Sequence, residues 1–500
     1  MKKINFLILL LLICFFNQLI AQNVTKESCT TVTINDKYIQ QVVIYADANY
    51  TYFTEFEKGK GKNGITSIAK FDKDLKFVSR LMLNEFAVDK VTPEYYGVRI
   101  LNNNIVLLFS QVANKDDIKY SIAIVNKDFK IIKPLNEVFT TNKEFSNANG
   151  VYCSSDSTNL VYVFGKSNNN SNNKLDIEKK VIGIDNTGNI NFNKSVKFDN
   201  LKEGDNKMVD VVFDNNAIYF EVAIGYSTPT SYTSSSGSSR TLGAYTYGIA
   251  KKTEDMKYNF CVYKFNIKTG VNNFFLKDSK LESNYIINSK LDIKNGILYY
   301  AGTYSEERYP SDFTWYRYQG HFLIKVDTKT EKVLFSSFEL DTEKSNQGIV
   351  TNILYKIDGG VYVVVENNNE SGVSYSNNLA IYNYNEKGEI VWNKIIKKEH
   401  RGGQLFKNYA FLHSLALVKN NDLYIIMNEN KKNAELSIGI PMEENKNWEK
   451  NVSCILFVYS DNKEKKSIIY NLDDYKCPFY DGYNPFYSIY LTDRKSGLYV

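Results

Sequence analysis

Apolar and polar positions alternate along this chain in short runs, and the runs recur as a two-part unit. One part is a pair of apolar strands around an Asn, Asp or Gly turn: ILNNNIVLLFSQ, SSDSTNLVYVFGK, FDNNAIYFEVAIG, DIKNGILYYAGTY, KIDGGVYVVVENN and LVKNNDLYIIMNE. The other is a hairpin rich in Asn, Asp, Gly and Lys: IAKFDKDLKF, AIVNKDFKII, IGIDNTGNIN, VYKFNIKTGV, IKVDTKTEKV, IYNYNEKGEI and FVYSDNKEKK. Period-two alternation bounded by such turns predicts strands, because these turn residues accept positive φ at little cost. Helical 3.6-residue periodicity is almost absent.

The residues that open the hairpins are Asp72, Asn126, Asp185, Asn266, Asp327, Asn385 and Ser460, at intervals of 54, 59, 81, 61, 58 and 75. Rungs of a solenoid must superpose, so such variation excludes one. Propeller blades, by contrast, carry loops of free length on a fixed four-stranded core. The pattern predicts an all-β chain folded as a β-propeller of seven four-stranded blades, with eight as the alternative. A looser strand pair, VVIYADANYTYFTEF, opens the series, and IYLTDRKSGLYV ends it. A C-terminal strand pair latching near the N-terminal strands would close the ring and remove both free edges; in the eight-blade alternative, residues from about 485 onward share a blade with the strand around Thr30 to Ile34.

In order and composition the repeats resemble the quinoprotein-like β-propellers. Their third strands read apolar-x-apolar-Asp and their fourth strands Gly-x-apolar-apolar-Trp. The sixth repeat matches with Gly388, Glu389, Ile390, Val391 and Trp392. The third keeps Gly183, Ile184, Asp185 and Gly188, and the fifth Val326 and Asp327. The resemblance implies the architecture over almost the whole chain. No residues correspond to quinone ligands, so no cofactor is expected.

Residues 1–21 read as a secretory signal peptide: Lys2 and Lys3, an apolar run from Phe6 to Phe16, and a short tail ending at Ala21. The expected product is a single propeller domain over 22–500, exported to the periplasm, cell surface or medium, with no integral membrane segment after cleavage. Five cysteines follow the leader, too widely spaced for a metal site or a disulfide scaffold. Cys454 and Cys477 are the candidate pair, set against the plainer reading of free thiols acting as small apolar side chains. The net charge of +5 balances 61 basic against 56 acidic residues, mostly as scattered lysine. That excludes the gathered basic face of a nucleic-acid binder. Tyrosine is abundant, 38 residues beside 30 phenylalanines, which suits half-buried strands.

Loop length is uneven. The loops joining second to third strands share one end of a propeller with the blade-to-blade crossovers, and they are long in blades 4 to 7. The blade 5 loop gathers Tyr304, Arg308, Tyr309, Trp315, Tyr316, Arg317 and Tyr318, a composition suited to binding a protein or glycan. The bland alternative is that these rings pack the loop onto its neighbour. The Ser/Thr/Gly-rich stretch from Ser227 to Gly243 reads as a flexible insertion.

The competing class is a carbohydrate-active hydrolase or lyase using axial carboxylates, for which Asp210, Glu221, Asp292 and Glu366 are the candidates. Strand carboxylates beside turns are expected to be solvated. A scaffold role for assembly is a third class. The three histidines, His321, His400 and His413, show no metal-binding spacing. His400 is expected in a crossover before blade 7. Gly165, Lys166 and Ser167 imitate the end of a phosphate loop, but Leu160 replaces its first glycine.

Overall fold

The computed structural model describes residues 38–471 except 48, 58–64, 74–75, 88–92, 115–116, 141–144, 146, 166–177, 199–206, 224–259, 306–319, 341–348, 370–374, 402–413, 437–451 and 461–462. The described strands form seven antiparallel four-stranded sheets, each from four consecutive strands. This is the arrangement of a seven-bladed β-propeller. Blade 1 spans 38–82, blade 2 94–140, blade 3 147–197, blade 4 207–274, blade 5 285–340, blade 6 349–401 and blade 7 415–471. The leader, the strands proposed to close the ring, Cys477 and His413 lie outside the described residues.

The hairpin signature has a direct physical cause. In six blades the opening Asp or Asn turns its side-chain oxygen onto amides of the turn that follows. Asp72 accepts from Lys76, Asn126 from Asp128 and Lys130, and Asp185 from Thr187 and Asn189. Asn266 accepts from Lys268 and Thr269, Asp327 from Lys329 and Thr330, and Asn385 from Glu389. A short side-chain acceptor thus satisfies amides that no ladder partner can reach.

The first strands of blades 3 to 7 touch in succession, as do those of blades 1 and 2, which marks them as the inner strands. Fourth strands are outermost and open with exposed apolar residues such as Phe77, Ile131, Ile132, Leu334 and Val391. Apolar burial is concentrated between blades rather than within them. One cluster joins Tyr52 and Leu107 of blades 1 and 2, another Tyr299 and Val363 of blades 5 and 6, and a third Leu379 and Phe457 of blades 6 and 7. The second strands are therefore buried on both faces, as in Ala217–Ala223 of blade 4, where every residue is enclosed.

Among the described residues there are three short helical turns: a 3-10 turn at Leu83–Phe86 and α-helices at Ser279–Ser283 and Lys431–Glu435. Asp278 caps the second by accepting from the amides of Lys280 and Leu281. Among the described residues no helix is long and apolar enough to cross a membrane. His400 and Arg401 end the fourth strand of blade 6, Ile390–Arg401, and so do not belong to a crossover loop. The extended ladder pairs His400 with Ser376 and Arg401 with Tyr375, which carries the strand past its expected end. Cys153 and Cys261 are free thiols, and burial pushes that of Cys261 up to about 12.

Candidate functional site

A series of half-buried polar side chains runs across the inner strands of five successive blades: Arg99, Tyr152, Asp210, Asp292 and Tyr355. Neighbours along this series interact. Arg99 of blade 2 donates from Nε and Nη2 to the Val151 carbonyl of blade 3, at 3.2 and 2.8 Å. Burial raises the Tyr152 hydroxyl pKa; the Asp210 charge adds to this and Arg99 opposes it. Asp210 of blade 4 accepts from its neighbour Val211 N at 2.8 Å and from Leu291 N of blade 5 at 3.0 Å. Asp292 accepts from Ile293 N at 2.8 Å. Its carboxyl is held above the usual range by burial, with the Asp210 charge adding and the Tyr355 hydroxyl, the Ile293 amide and Lys290 opposing. Tyr355 of blade 6 crosses Tyr299 edge-on at 4.9 Å.

A third carboxyl backs this arc. Glu221 lies directly opposite Asp210 on the adjacent second strand of blade 4. It is wholly buried; Oε1 accepts from the hydroxyls of Ser289 and Tyr300, both of blade 5, the latter at 2.9 Å, while Oε2 has no partner among the described residues. Burial pushes its pKa up to about 8, Asp210 adding to the rise and the two hydroxyls opposing it. A neutral carboxyl is the physical resolution of two acids set side by side away from water.

The structure therefore brings together three of the four carboxylates singled out from the sequence. Glu366 stands apart, fully buried toward blade 7, where it accepts from Ser414 N at 3.2 Å. The expectation that these strand acids are solvated fails for Glu221 and Glu366. Second strands sit between two blades, so an acid there has no wet face. One sequence signal could have found them: Glu221 is the lone polar-ended chain in AIYFEVA apart from a tyrosine, and Glu366 closes VYVVVE.

Of the loop residues, Tyr304 is described and is buried, its ring 5.1 Å edge-on from Phe338. That placement is core packing at the end of the second strand of blade 5. Arg308, Tyr309, Trp315, Tyr316, Arg317 and Tyr318 lie outside the described residues, as does the stretch Ser227 to Gly243. His321 is buried and stacks on Tyr382 of blade 6 at 3.3 Å, a packing position. Among the described residues no group of three or more His, Cys, Asp or Glu is placed to hold a metal ion.

No family model matches the chain, and no curated protein matches it. Solved structures do. Prolyl oligopeptidase B from Galerina marginata is 7% identical over 87% of this chain, TM-score 0.43, and the match covers 51% of that enzyme, so the chain spans about half its length. The β-propeller domain of the Trilobed protease from Pyrococcus furiosus is 12% identical, TM-score 0.36, with 84% of this chain and 95% of that one covered. Oligogalacturonate lyase from Vibrio parahaemolyticus is 9% identical, TM-score 0.41, with 79% and 89% covered. Similarity at this level concerns fold alone and brings no chemistry to these residues.

Proposed function

We propose that this chain is an exported, non-enzymatic binding propeller. It takes a protein segment or glycan at the cell envelope, through the long loops of blades 4 to 7 at one end of the ring and the inner-strand arc, most of whose members stand toward the opposite end. The observation that carries the reading is the arc itself. Arg99, Tyr152, Asp210, Asp292 and Tyr355 line five successive inner strands with phenols, carboxylates and a guanidinium, all half-buried. Such a mixture offers aromatic faces for stacking and paired acceptors for hydroxyls or amides.

A hydrolase or lyase acting on a glycan is the second reading, favoured by the coexistence of a carboxyl kept neutral and a nearby Asp. Enclosure of Glu221 weighs against it, because a general acid must come within hydrogen-bond reach of the bond it protonates.

Glycan and peptide arrays probed with the full secreted chain test the proposal. D210N/D292N should lose capture while keeping the wild-type melting temperature within a few degrees, and W315A/R317A/Y318A tests the loop share separately. Capture unchanged in both variants overturns the binding reading. Release of reducing or unsaturated ends from an oligosaccharide by the wild type, lost in D292N, would establish the enzymatic one.

A further inference from the structure

We propose that the seam between blades 4 and 5 is a proton-operated joint, held while Glu221 is neutral and loosened when Glu221 ionises. Two carboxyls of blade 4 cross this seam. Asp210 reaches the Leu291 amide, and Glu221 reaches the hydroxyls of Ser289 and Tyr300. Both sit on the inner half of the blade, so the joint operates at the axis rather than at the rim. The inference stands on the seam geometry and is independent of any ligand.

The groups facing Glu221 come from each element packed around it. The first strand of blade 4 presents Asp210, and the third strand, Phe260–Asn266, presents the Cys261 thiol beside Tyr300. The first strand of blade 5, Tyr285–Lys294, presents Ser289, with Lys290 and Asp292 following. The second strand, Ile297–Ser305, presents Tyr300. Lys290 acts on Asp292, and among the described residues no cation opposes Glu221.

Blade 1 supplies the contrast within the same fold. Glu55 is also fully buried near the end of a second strand, but Arg80 clamps it at 2.6 and 3.2 Å and Ser67 donates at 3.0 Å. That carboxylate has its counter-charge inside its own blade. Glu221 has hydroxyls alone, so an ionised form would be a buried charge without a countercharge among the described residues.

The sign follows from linkage. The folded pKa, about 8, lies above the ordinary value of 4.5. The contribution of Glu221 to the seam is therefore complete below about pH 4.5 and is lost as pH rises through about 8. Opening driven by one ionisation should increase about tenfold per pH unit above the midpoint.

Hydrogen exchange read by mass spectrometry on the full chain, corrected for intrinsic rates and followed from neutral to alkaline pH, tests this. Peptides covering 217–223 and 286–300 should lose protection through a midpoint near 8, while those covering 50–57 keep theirs. E221Q should abolish the transition. D210N, which removes a neighbouring negative charge, lowers the folded pKa of Glu221, so the seam should open at lower pH and the midpoint move down. S289A, which removes a donor to the ionised form, should move it up. Should E221Q fail to fold, the opposed shifts of D210N and S289A decide. A transition that persists in E221Q, or shifts of one direction in both other variants, overturns the proposal.

Discussion

Lys264 of blade 4 donates to the Glu331 carboxylate of blade 5 at 2.8 Å and to the Thr328 carbonyl at 2.9 Å. The lysine stands two residues before Asn266, the opening residue of its hairpin. Two other blades use the same position: Lys70, before Asp72, reaches Asp128 of blade 2 at 2.7 Å, and Lys325, before Asp327, reaches the Glu386 carbonyl of blade 6 at 3.3 Å. Each also lies over a ring, Lys264 over Phe275, Lys70 over Tyr50 and Lys325 over Tyr299. The repeat therefore encodes a blade-to-blade tie as well as a turn. Lys264→Met should cost about 1 kcal/mol, since the acceptor is largely exposed and the pair is screened. Denaturant unfolding of K264M, E331Q and the double variant should show a coupling of a few tenths of a kcal/mol or more.

Asp156 makes the equivalent tie on the turn between the first two strands of blade 3. It accepts from the Ser154 hydroxyl at 2.6 Å, the Thr158 hydroxyl at 2.7 Å and Asn215 of blade 4 at 2.8 Å. Burial pushes its pKa up, but the hydrogen bonds outweigh this and hold it down to about 2. A depressed folded pKa gives stability that is present above the ordinary value of 3.8 and lost as pH falls through about 2. Asp156→Asn should cost about 1 kcal/mol at neutral pH, a figure kept small because the carboxylate is exposed. Thermal melts of the two proteins should converge as the pH approaches 2.

The blade number, the strand order and the hairpin turns were all readable from residues alone, because each rests on local chemistry: period-two alternation and a side-chain acceptor over a tight turn. What could not be read is which blades lean on one another through which side chains. Glu55 and Glu221 occupy similar places near the ends of second strands, yet one meets Arg80 and the other meets Ser289 of the next blade. Partners separated by 68 residues leave no mark in a local pattern. The arc from Arg99 to Tyr355 escaped for the same reason: its members sit at different heights on five first strands, and only the ring brings them together. The sequence pattern places Tyr304 in a loop, whereas the second strand of blade 5 runs on to Ser305.

Gly388, in the turn before the fourth strand of blade 6, shows why that turn wants glycine. Its φ is +83, and a methyl built on it would collide with the Phe335 ring of blade 5. Gly270 in the matching turn of blade 4 has φ +74 but open space around it. Gly388→Ala combines backbone strain with overpacking and should cost roughly 2–4 kcal/mol. Gly270→Ala carries the backbone term alone and should cost about 1 kcal/mol. Equal losses in the two variants, measured by urea unfolding, would show that the Phe335 contact is not what restricts the turn.

The Glu55–Arg80 pair gives the sharpest stability test. Arg80 keeps 16% of its side chain exposed while Glu55 has none, so removing the arginine strands a charge that water cannot reach. Arg80→Ala should therefore cost about 3–5 kcal/mol, far above an ordinary surface substitution. Replacing both partners is different: E55Q/R80M removes the charge with its counter-charge and leaves Ser67 able to bond the amide oxygen at the Glu55 position. The double variant should recover most of the loss, because a buried pair contributes little beyond two neutral groups of similar shape. Chemical denaturation of E55Q, R80A, R80M and the double variant measures this directly. A double variant as unstable as R80A would mean that the guanidinium acts through packing against Phe77, which it overlies at 4.8 Å, rather than by neutralising Glu55.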